Sequence, residues 1–252
     1  MARPSGGVGS RVSRTRHSQA ASMIGQRIVS GEWTAGGALP TEADLSRELK
    51  VSRASLREAI KLLAGKGLIR STPRRGTIVQ PPATWNRLDP DVLFWQASDG
   101  PTTQFVRDLF ELRRMIEPEA AALAADRAGP MERAAIAEAF AAMESAPDVQ
   151  TSIDADLAFH RAIVLATGNQ LLAAFSPAIE ASLAVSFAVS RAGETQPHVV
   201  PMHRAVAEPI NAGDANGARR AMNALLDRSE ADAAKATAQR KAGSGEGAHA
   251  QF

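Results

Sequence analysis

The sequence predicts a mainly α-helical protein in two parts: an N-terminal winged helix-turn-helix with a small β-hairpin, and a C-terminal all-α antiparallel bundle. Apolar residues recur with helical spacing along most of the chain, and short strand patterns occur only near residues 68–80. The sign of the net charge changes at the same place. Residues 1–82 contain 14 Lys/Arg and 5 Asp/Glu, whereas residues 83–252 contain 15 Lys/Arg and 22 Asp/Glu. We therefore predict these segments: 1–16 a disordered basic tail, 17–82 the winged domain, 83–100 a linker, 101–240 the bundle and 241–252 a disordered tail.

The amino-acid composition excludes several kinds of protein and of metal site. The 252 residues include no cysteine, which excludes disulfide scaffolds and thiolate metal sites. The opening "MARPSGGVGSRVSRTR" contains four arginines and no apolar core, so it does not resemble a signal peptide. With no apolar stretch suited to a membrane span, we expect a cytoplasmic protein.

The N-terminal part contains two short helices joined by a tight turn. A first helix is predicted from His17 to Ser30, where Gly31 ends it. "LPTEADLSREL" follows, with Thr41 as its helix cap, and "KVS" leads into "SRASLREAIKLLAGKG", for which Ser52 is the predicted cap. This order is typical of a helix-turn-helix.

The third helix carries a basic row, and a basic hairpin follows it. Arg53, Arg57 and Lys61 recur every fourth residue, and "LIRSTPRRGTIVQ" forms a wing around a basic turn. A small basic domain with a solvated charge row is the alternative, but the order of elements favours binding to double-stranded DNA. The predicted DNA-binding residues are Ser52, Arg53, Ser55 and Arg57 in the helix, and Arg74, Arg75, Gly76 and Thr77 in the wing.

The remaining chain predicts only helices. Pro118 is expected to kink or weaken the first of them. No glycine-rich phosphate loop and no internal repeat occurs in the sequence. The predicted bundle helices are 102–127, 130–145, 152–167, 170–191, 198–212 and about 216–241.

Four polar residues fall on the apolar faces of these helices. Asp156 and His160 lie one turn apart in "DLAFH", His203 precedes Val206 on a later helix, and Arg113 lies inward on the first. Such a set can be a metal site, a catalytic group around an activated water, or a hydrogen-bonded buried cluster. The spacing alone does not choose between them.

The N-terminal motifs resemble a known family. "LPTEADLSRELKVSRASLREAIKLLAGKGLIRSTPRRGTIV" is similar to the winged helix-turn-helix of the GntR family of bacterial transcription regulators. "DADLAFHRAIVLATGNQLL" and "MHRAVAEPINAGDANGARRAM" resemble the ligand-binding FCD bundle of its FadR branch. That resemblance implies a homodimeric regulator that binds a palindromic operator, and not an enzyme.

The FadR-branch resemblance also implies a divalent metal such as Zn, Ni or Mn. Its ligands would be Asp156, His160 and His203, whereas the family's fourth ligand falls at Leu225, which cannot ligate. Two interpretations stay open. A metal is retained on three protein ligands, which we favour, or the polar residues hydrogen-bond an effector directly.

"WNRLDPDVLFW" and "ELRRMIEPEAAALAADRA" further resemble the galactonate-operon repressors of that branch. This implies a repressor of sugar-acid catabolism, released by an aldonate or similar hydroxy acid. The effector-binding residues would be Arg113 for the carboxylate, the residues Asp156, His160 and His203, and also Asn169 and Arg191. The rivals are a regulator with a vestigial pocket and a metal-dependent hydrolase.

Overall fold

The computed structural model describes residues 15–98, 102–181, 183 and 198–246. The chain divides into two compact units after Gln96. Most of the two predicted tails lies outside the described residues, and so do residue 182 and residues 184–191 of the predicted helix 170–191. Within the described part, no helix is both long and apolar enough to cross a membrane.

The first unit contains the predicted three helices: α1 Arg16–Val29, α2 Glu42–Glu48 and α3 Arg53–Gly65. Thr41 caps α2 by accepting the Asp44 N–H at 3.2 Å, and Ser52 caps α3 by accepting the Ser55 N–H at 3.1 Å. The turn between α2 and α3 passes through Lys50, whose φ is 53°. One core of aliphatic side chains, including Ile24, Leu45, Leu56 and Leu63, holds the three helices together.

The wing is an antiparallel pair, β1 Ile69–Thr72 and β2 Gly76–Val79, in which Ile69 pairs with Val79 and Thr72 with Gly76. A short bridge from Ala38 to Ile78 extends the pairing beyond the hairpin. Since Ile69 and Val79 are buried while the connecting turn is exposed, the core fixes the hairpin and leaves its basic turn in solvent.

The region predicted as a linker contains a helix that belongs to the first unit. After a 3-10 turn at Pro82–Thr84, helix α4 runs over Pro90–Ser98. Trp95 is buried and its indole N–H donates to the Ser22 hydroxyl at 3.1 Å, while Lys66 bonds Asp89 at 2.6 Å. This unit therefore extends to Gln96, beyond the boundary at residue 82 that we predict from the sequence.

The described part of the second unit is entirely helical. Residues 176–181 and 183 are also helical. Its other helices are α5 Thr103–Arg127, α6 Pro130–Glu144, α7 Val149–Ala166, the short α8 Gln170–Ala173, α9 Val199–Ala212 and α10 Ala215–Glu246.

Helix α5 continues through the buried Pro118, and the kink or weak point expected there stays a prediction. One boundary needs correction. Residues 241–246 belong to α10 instead of the predicted disordered tail. The core draws on α5, α6, α7, α9 and α10, so polar side chains on the inner face of α5, α7 or α9 are removed from water together.

Candidate functional site

Three of the predicted site residues meet inside the second unit. Asp156 and His160 project from α7 and His203 from α9, and none is more than 4% exposed. One ligand atom from each residue lies within 4.8 Å of the others. The ring of Phe159 packs edge-on against both imidazoles, with centroids 5.8 Å from His160 and 5.2 Å from His203. The apolar surroundings make any unpaired charge here costly.

His203 is held in one ring orientation. Its Nδ1 lies 2.7 Å from the carbonyl oxygen of Val199, and since a carbonyl only accepts, Nδ1 carries the proton. Its Nε2 then faces Oδ1 of Asp156 at 3.2 Å. Its second ring nitrogen is thereby directed at the carboxylate on α7.

His160, like His203, has an oxygen atom near each of its two ring nitrogens. Its Nδ1 lies 2.6 Å from Oε2 of Glu117 and its Nε2 lies 3.3 Å from Oδ1 of Asp156. Neither nitrogen meets the geometric criteria of a hydrogen bond, so these contacts are ion pairs. Both histidines thus direct Nε2 at the same oxygen of Asp156 and have an acceptor near Nδ1.

Glu117 links this cluster to Arg113. Arg113 donates from Nε to Oε1 of Glu117 at 2.6 Å, one turn away on α5, and both side chains are at most 2% exposed. We did not predict Glu117 from the sequence. Its signal is present, because a carboxylate four residues after an inward arginine is well placed to neutralise it.

The charges in the cluster perturb one another strongly. Burial raises the pKa of Glu117, but Arg113 and His160 outweigh burial and lower this pKa to about 2. Burial lowers the pKa of His160, yet Glu117 and Asp156 raise it to about 9. The pKa of Asp156 is held well below its usual range, because the two histidines outweigh the effect of burial. The cluster therefore combines buried carboxylates with a histidine that binds its proton tightly.

The cluster fits a divalent metal as the resemblance implies. One carboxylate oxygen and two imidazole nitrogens form a donor set suited to Zn²⁺ and similar ions. In both histidines an acceptor near Nδ1 leaves Nε2 toward Asp156, which is the usual orientation of metal-ligating imidazoles. Leu225 is 3% exposed within the hydrophobic core of the bundle and offers no ligand atom, so the candidate ligands among the described residues number three.

Asn169, another predicted effector residue, has a different local role. Asn169 is exposed and caps α8, since its side-chain oxygen accepts the N–H groups of Leu171 and Leu172 at 3.0 and 3.3 Å. This role explains Asn169 without an effector. Arg191 lies outside the described residues.

The helix-turn-helix surface presents the predicted arginines to solvent. Arg53 and Arg57 are exposed at the start of α3, and Arg57 forms an ion pair at 3.0 Å with Glu42, in the first turn of α2. The hydroxyl of Ser52 caps α3 and also donates to the hydroxyl of Ser55 at 3.0 Å. Both serines therefore already have a local role in the helix start.

The wing turn exposes its basic residues. Arg74 has a φ of 65° and Gly76 a φ of 75°, a left-handed backbone that makes the turn sharp. Arg74 and Arg75 are exposed, while Thr77 is half-buried and lies 3.4 Å from the hydroxyl of Ser71. The wing can thus offer two guanidinium groups to a polyanion.

Both units match known protein families. Residues 16–79 match the model for "Bacterial regulatory proteins, gntR family", and residues 108–228 match that for the FCD domain. Together the matches cover the helix-turn-helix with its wing and most of the bundle.

Individual relatives agree with these matches. The chain is 31% identical over 206 residues to the galactonate operon transcriptional repressor of Escherichia coli K12, covering 81% of this chain and 90% of that protein. It is 35% identical over 213 residues to a putative L-lactate dehydrogenase operon regulatory protein of the same organism, covering 76% of each. A solved structure described as Lar, which controls the Listeria monocytogenes agr system, has a TM-score of 0.62 at 18% identity, covering 87% of this chain and 96% of that one.

Proposed function

The chain belongs to the GntR family of bacterial transcription regulators with an FCD domain, and on that premise we propose that it is a repressor released from its operator by a hydroxy acid. It is a regulator and not an enzyme, which sets aside the metal-dependent hydrolase. The observation that carries the proposal is the buried group of Asp156, His160 and His203 beside an equally buried arginine.

The first unit supplies DNA binding. Exposed Arg53 and Arg57 at the start of α3 would reach guanine edges or phosphates in the major groove. Arg74 and Arg75 of the wing would contact phosphates or the minor groove. We propose a homodimer acting in the cytoplasm, because two copies of this unit match the two halves of a palindromic operator.

The second unit supplies the effector site. Asp156, His160 and His203 would hold a divalent ion, which when bound supplies a Lewis-acidic centre with coordination positions open to water or effector oxygens. Arg113 carries the positive charge suited to a carboxylate. Its Nε and Nη2 atoms lie toward Glu117, which holds the guanidinium inside the bundle.

The class of effector rests on chemistry and on one relative. A carboxylate with neighbouring hydroxyls matches an arginine next to a site of carboxylate and imidazole groups. The similarity to a galactonate operon repressor supports a sugar acid within that class. We therefore propose an aldonate such as galactonate, and the effector would act only through its different affinities for the two arrangements of the repressor.

A melting experiment tests the proposal directly. Metal-stripped protein is heated alone, with zinc, nickel or manganese, and with a panel of sugar acids in the presence and absence of each metal. We expect the metal to raise the melting temperature and an aldonate to raise it further only when metal is present. Stabilisation by an acid without metal would instead support direct hydrogen bonding. No response to any metal or acid would support a vestigial pocket.

A further inference from the structure

Glu117 uses both carboxylate oxygens inside the bundle. Its Oε1 accepts Nε–H of Arg113 at 2.6 Å, and its Oε2 lies 2.6 Å from Nδ1 of His160. These three side chains are at most 2% exposed. Burying a carboxylate costs free energy unless charged partners compensate for the lost water. The two contacts of Glu117 therefore have to form together with the core.

Glu117 is not itself one of the grouped ligands. It faces Nδ1 of His160, whereas Asp156 faces Nε2, on the opposite side of the ring. The group whose ligand atoms converge contains Asp156, His160 and His203 but not Glu117. Glu117 therefore acts on that group only through the imidazole of His160.

We infer that Glu117 is the positioning residue that couples Arg113 to the Asp156–His160–His203 cluster. Because Glu117 lies against Nδ1 of His160, the Nε2 atom of that ring faces Asp156. Glu117 also accepts from Arg113, one turn earlier on α5, and so holds its guanidinium in place. The link from Glu117 to effector binding rests on the proposed function. The orientation of His160 does not, and it can be tested separately.

The arrangement has a chemical consequence for ion binding. A carboxylate next to the distal nitrogen of a metal-ligating imidazole makes the ring more basic and favours one orientation, and loss of such a partner typically weakens metal affinity about 10–100-fold. His203 meets a backbone carbonyl instead, at Val199, so Glu117 is the side chain that a substitution can remove.

The first experiment measures zinc affinity by competition with a chelating dye. We compare the wild type with Glu117→Gln and with Glu119→Gln, a matched control two residues along α5 whose exposed side chain pairs with Arg219. Glu117→Gln should weaken zinc binding about 10–100-fold, whereas the control should not change it. Equal zinc affinity in the wild type and Glu117→Gln would overturn the inference.

A second variant tests the inference even if Glu117→Gln fails to fold. Removing Glu117 alone leaves Arg113 buried without this carboxylate, which is destabilising, whereas replacing both charges with apolar groups is tolerated better. The double variant R113M/E117L should therefore keep a cooperative melting transition and still bind zinc more weakly than the wild type. Wild-type zinc affinity in this folded double variant would also overturn the inference.

A spectroscopic measurement separates this inference from the proposed function. In the metal-free protein, the nitrogen-15 chemical shift of Nδ1 of His160 should report the carboxylate 2.6 Å away. This shift should change in R113M/E117L and stay at its wild-type value in Glu119→Gln. If the wild type binds no zinc, the proposed metal site fails, but the Nδ1 shift still decides whether Glu117 acts on His160. An unchanged Nδ1 shift in R113M/E117L contradicts the inference.

Discussion

The Nε2 atom of His160 lies 3.3 Å from Oδ1 of Asp156, one turn away on α7, and both side chains are buried. Glu117 approaches the same imidazole from its other nitrogen at 2.6 Å. Two carboxylates around one ring stabilise an imidazolium, and a metal ion bound through Nε2 would have to displace that proton. Protonation and metal binding are thus alternatives at one nitrogen.

The pH dependence of the metal-free protein follows from this competition. The pKa of His160 rises from 6.5 to about 9 in the folded state, so its contribution to stability is fully present below pH 6.5 and is lost as the pH rises through 9. We expect this loss to reach about 3 kcal/mol, measured by urea unfolding of metal-stripped protein across that range.

The variant His160→Gln serves as the control for that measurement. Because it lacks the titrating ring, the difference between wild type and variant should shrink from pH 6.5 to pH 9. Zinc affinity of the wild type should rise over the same range, since fewer protons compete for the imidazole. A stability difference that stays constant with pH would show that His160 does not carry a raised pKa.

Arg57→Ala should weaken operator binding. Loss of one arginine contact to a base edge costs about 1–3 kcal/mol, or roughly 5–150-fold in affinity. The ion pair of Arg57 with Glu42 is exposed and contributes little to stability, so the melting temperature should barely change. Fluorescence anisotropy on an operator selected from random DNA measures the affinity.

Glu42→Gln is the matched control for Arg57→Ala. It releases Arg57 from its partner and removes a negative charge next to α3, so operator binding should become equal or tighter. If Glu42→Gln weakens binding as much as Arg57→Ala, the ion pair itself orients the arginine on DNA, and the direct contact proposed for Arg57 is wrong.

Asp156→Asn should separate the two functions. The amide keeps the size of the side chain but loses the charge that both histidines face, so zinc and aldonate binding should fall at least tenfold. Operator affinity should stay near wild type, giving a repressor that an aldonate no longer releases. Fluorescence anisotropy of labelled operator DNA, with and without zinc and galactonate, measures both the operator affinity and its loss on adding the aldonate. A folded Asp156→Asn protein that cannot bind the operator would contradict this division.

The helix caps and the inward-facing residues of the candidate site are predictable from the local sequence pattern. The caps Thr41 and Ser52 and the inward positions of Asp156, His160 and His203 follow from helical periodicity, because each depends on neighbours within about one turn. Glu117 is harder to predict, because its contact with His160 joins two helices that are distant in sequence.

Helix α4 illustrates the same limit at a domain boundary. The prolines and turn residues before it are typical of a linker, and only tertiary contacts show where the helix packs. Trp95 reaches Ser22, 73 positions earlier, and Lys66 reaches Asp89. Such long-range contacts override local propensity, so the end of the first unit cannot be predicted from composition alone.

The packing of Trp95 on α1 yields a final prediction. A Cβ added at Gly25 would lie 2.3 Å from the indole ring of Trp95, too close for the two to coexist, and Trp95 is buried in the core of the first unit. Gly25→Ala should therefore displace Trp95 and destabilise the unit by about 1–3 kcal/mol, as overpacking does elsewhere.

Gly65 provides the matched comparison for Gly25. It ends α3 in the same unit, and a Cβ there meets nothing within 4 Å. Gly65→Ala should be neutral or stabilise by up to about 1 kcal/mol, because alanine lowers the entropy of the unfolded chain. Thermal unfolding followed by tryptophan fluorescence distinguishes the two variants. Equal stability of Gly25→Ala and wild type would mean that α4 is not packed on α1 in solution, and the first unit would then end before Pro90.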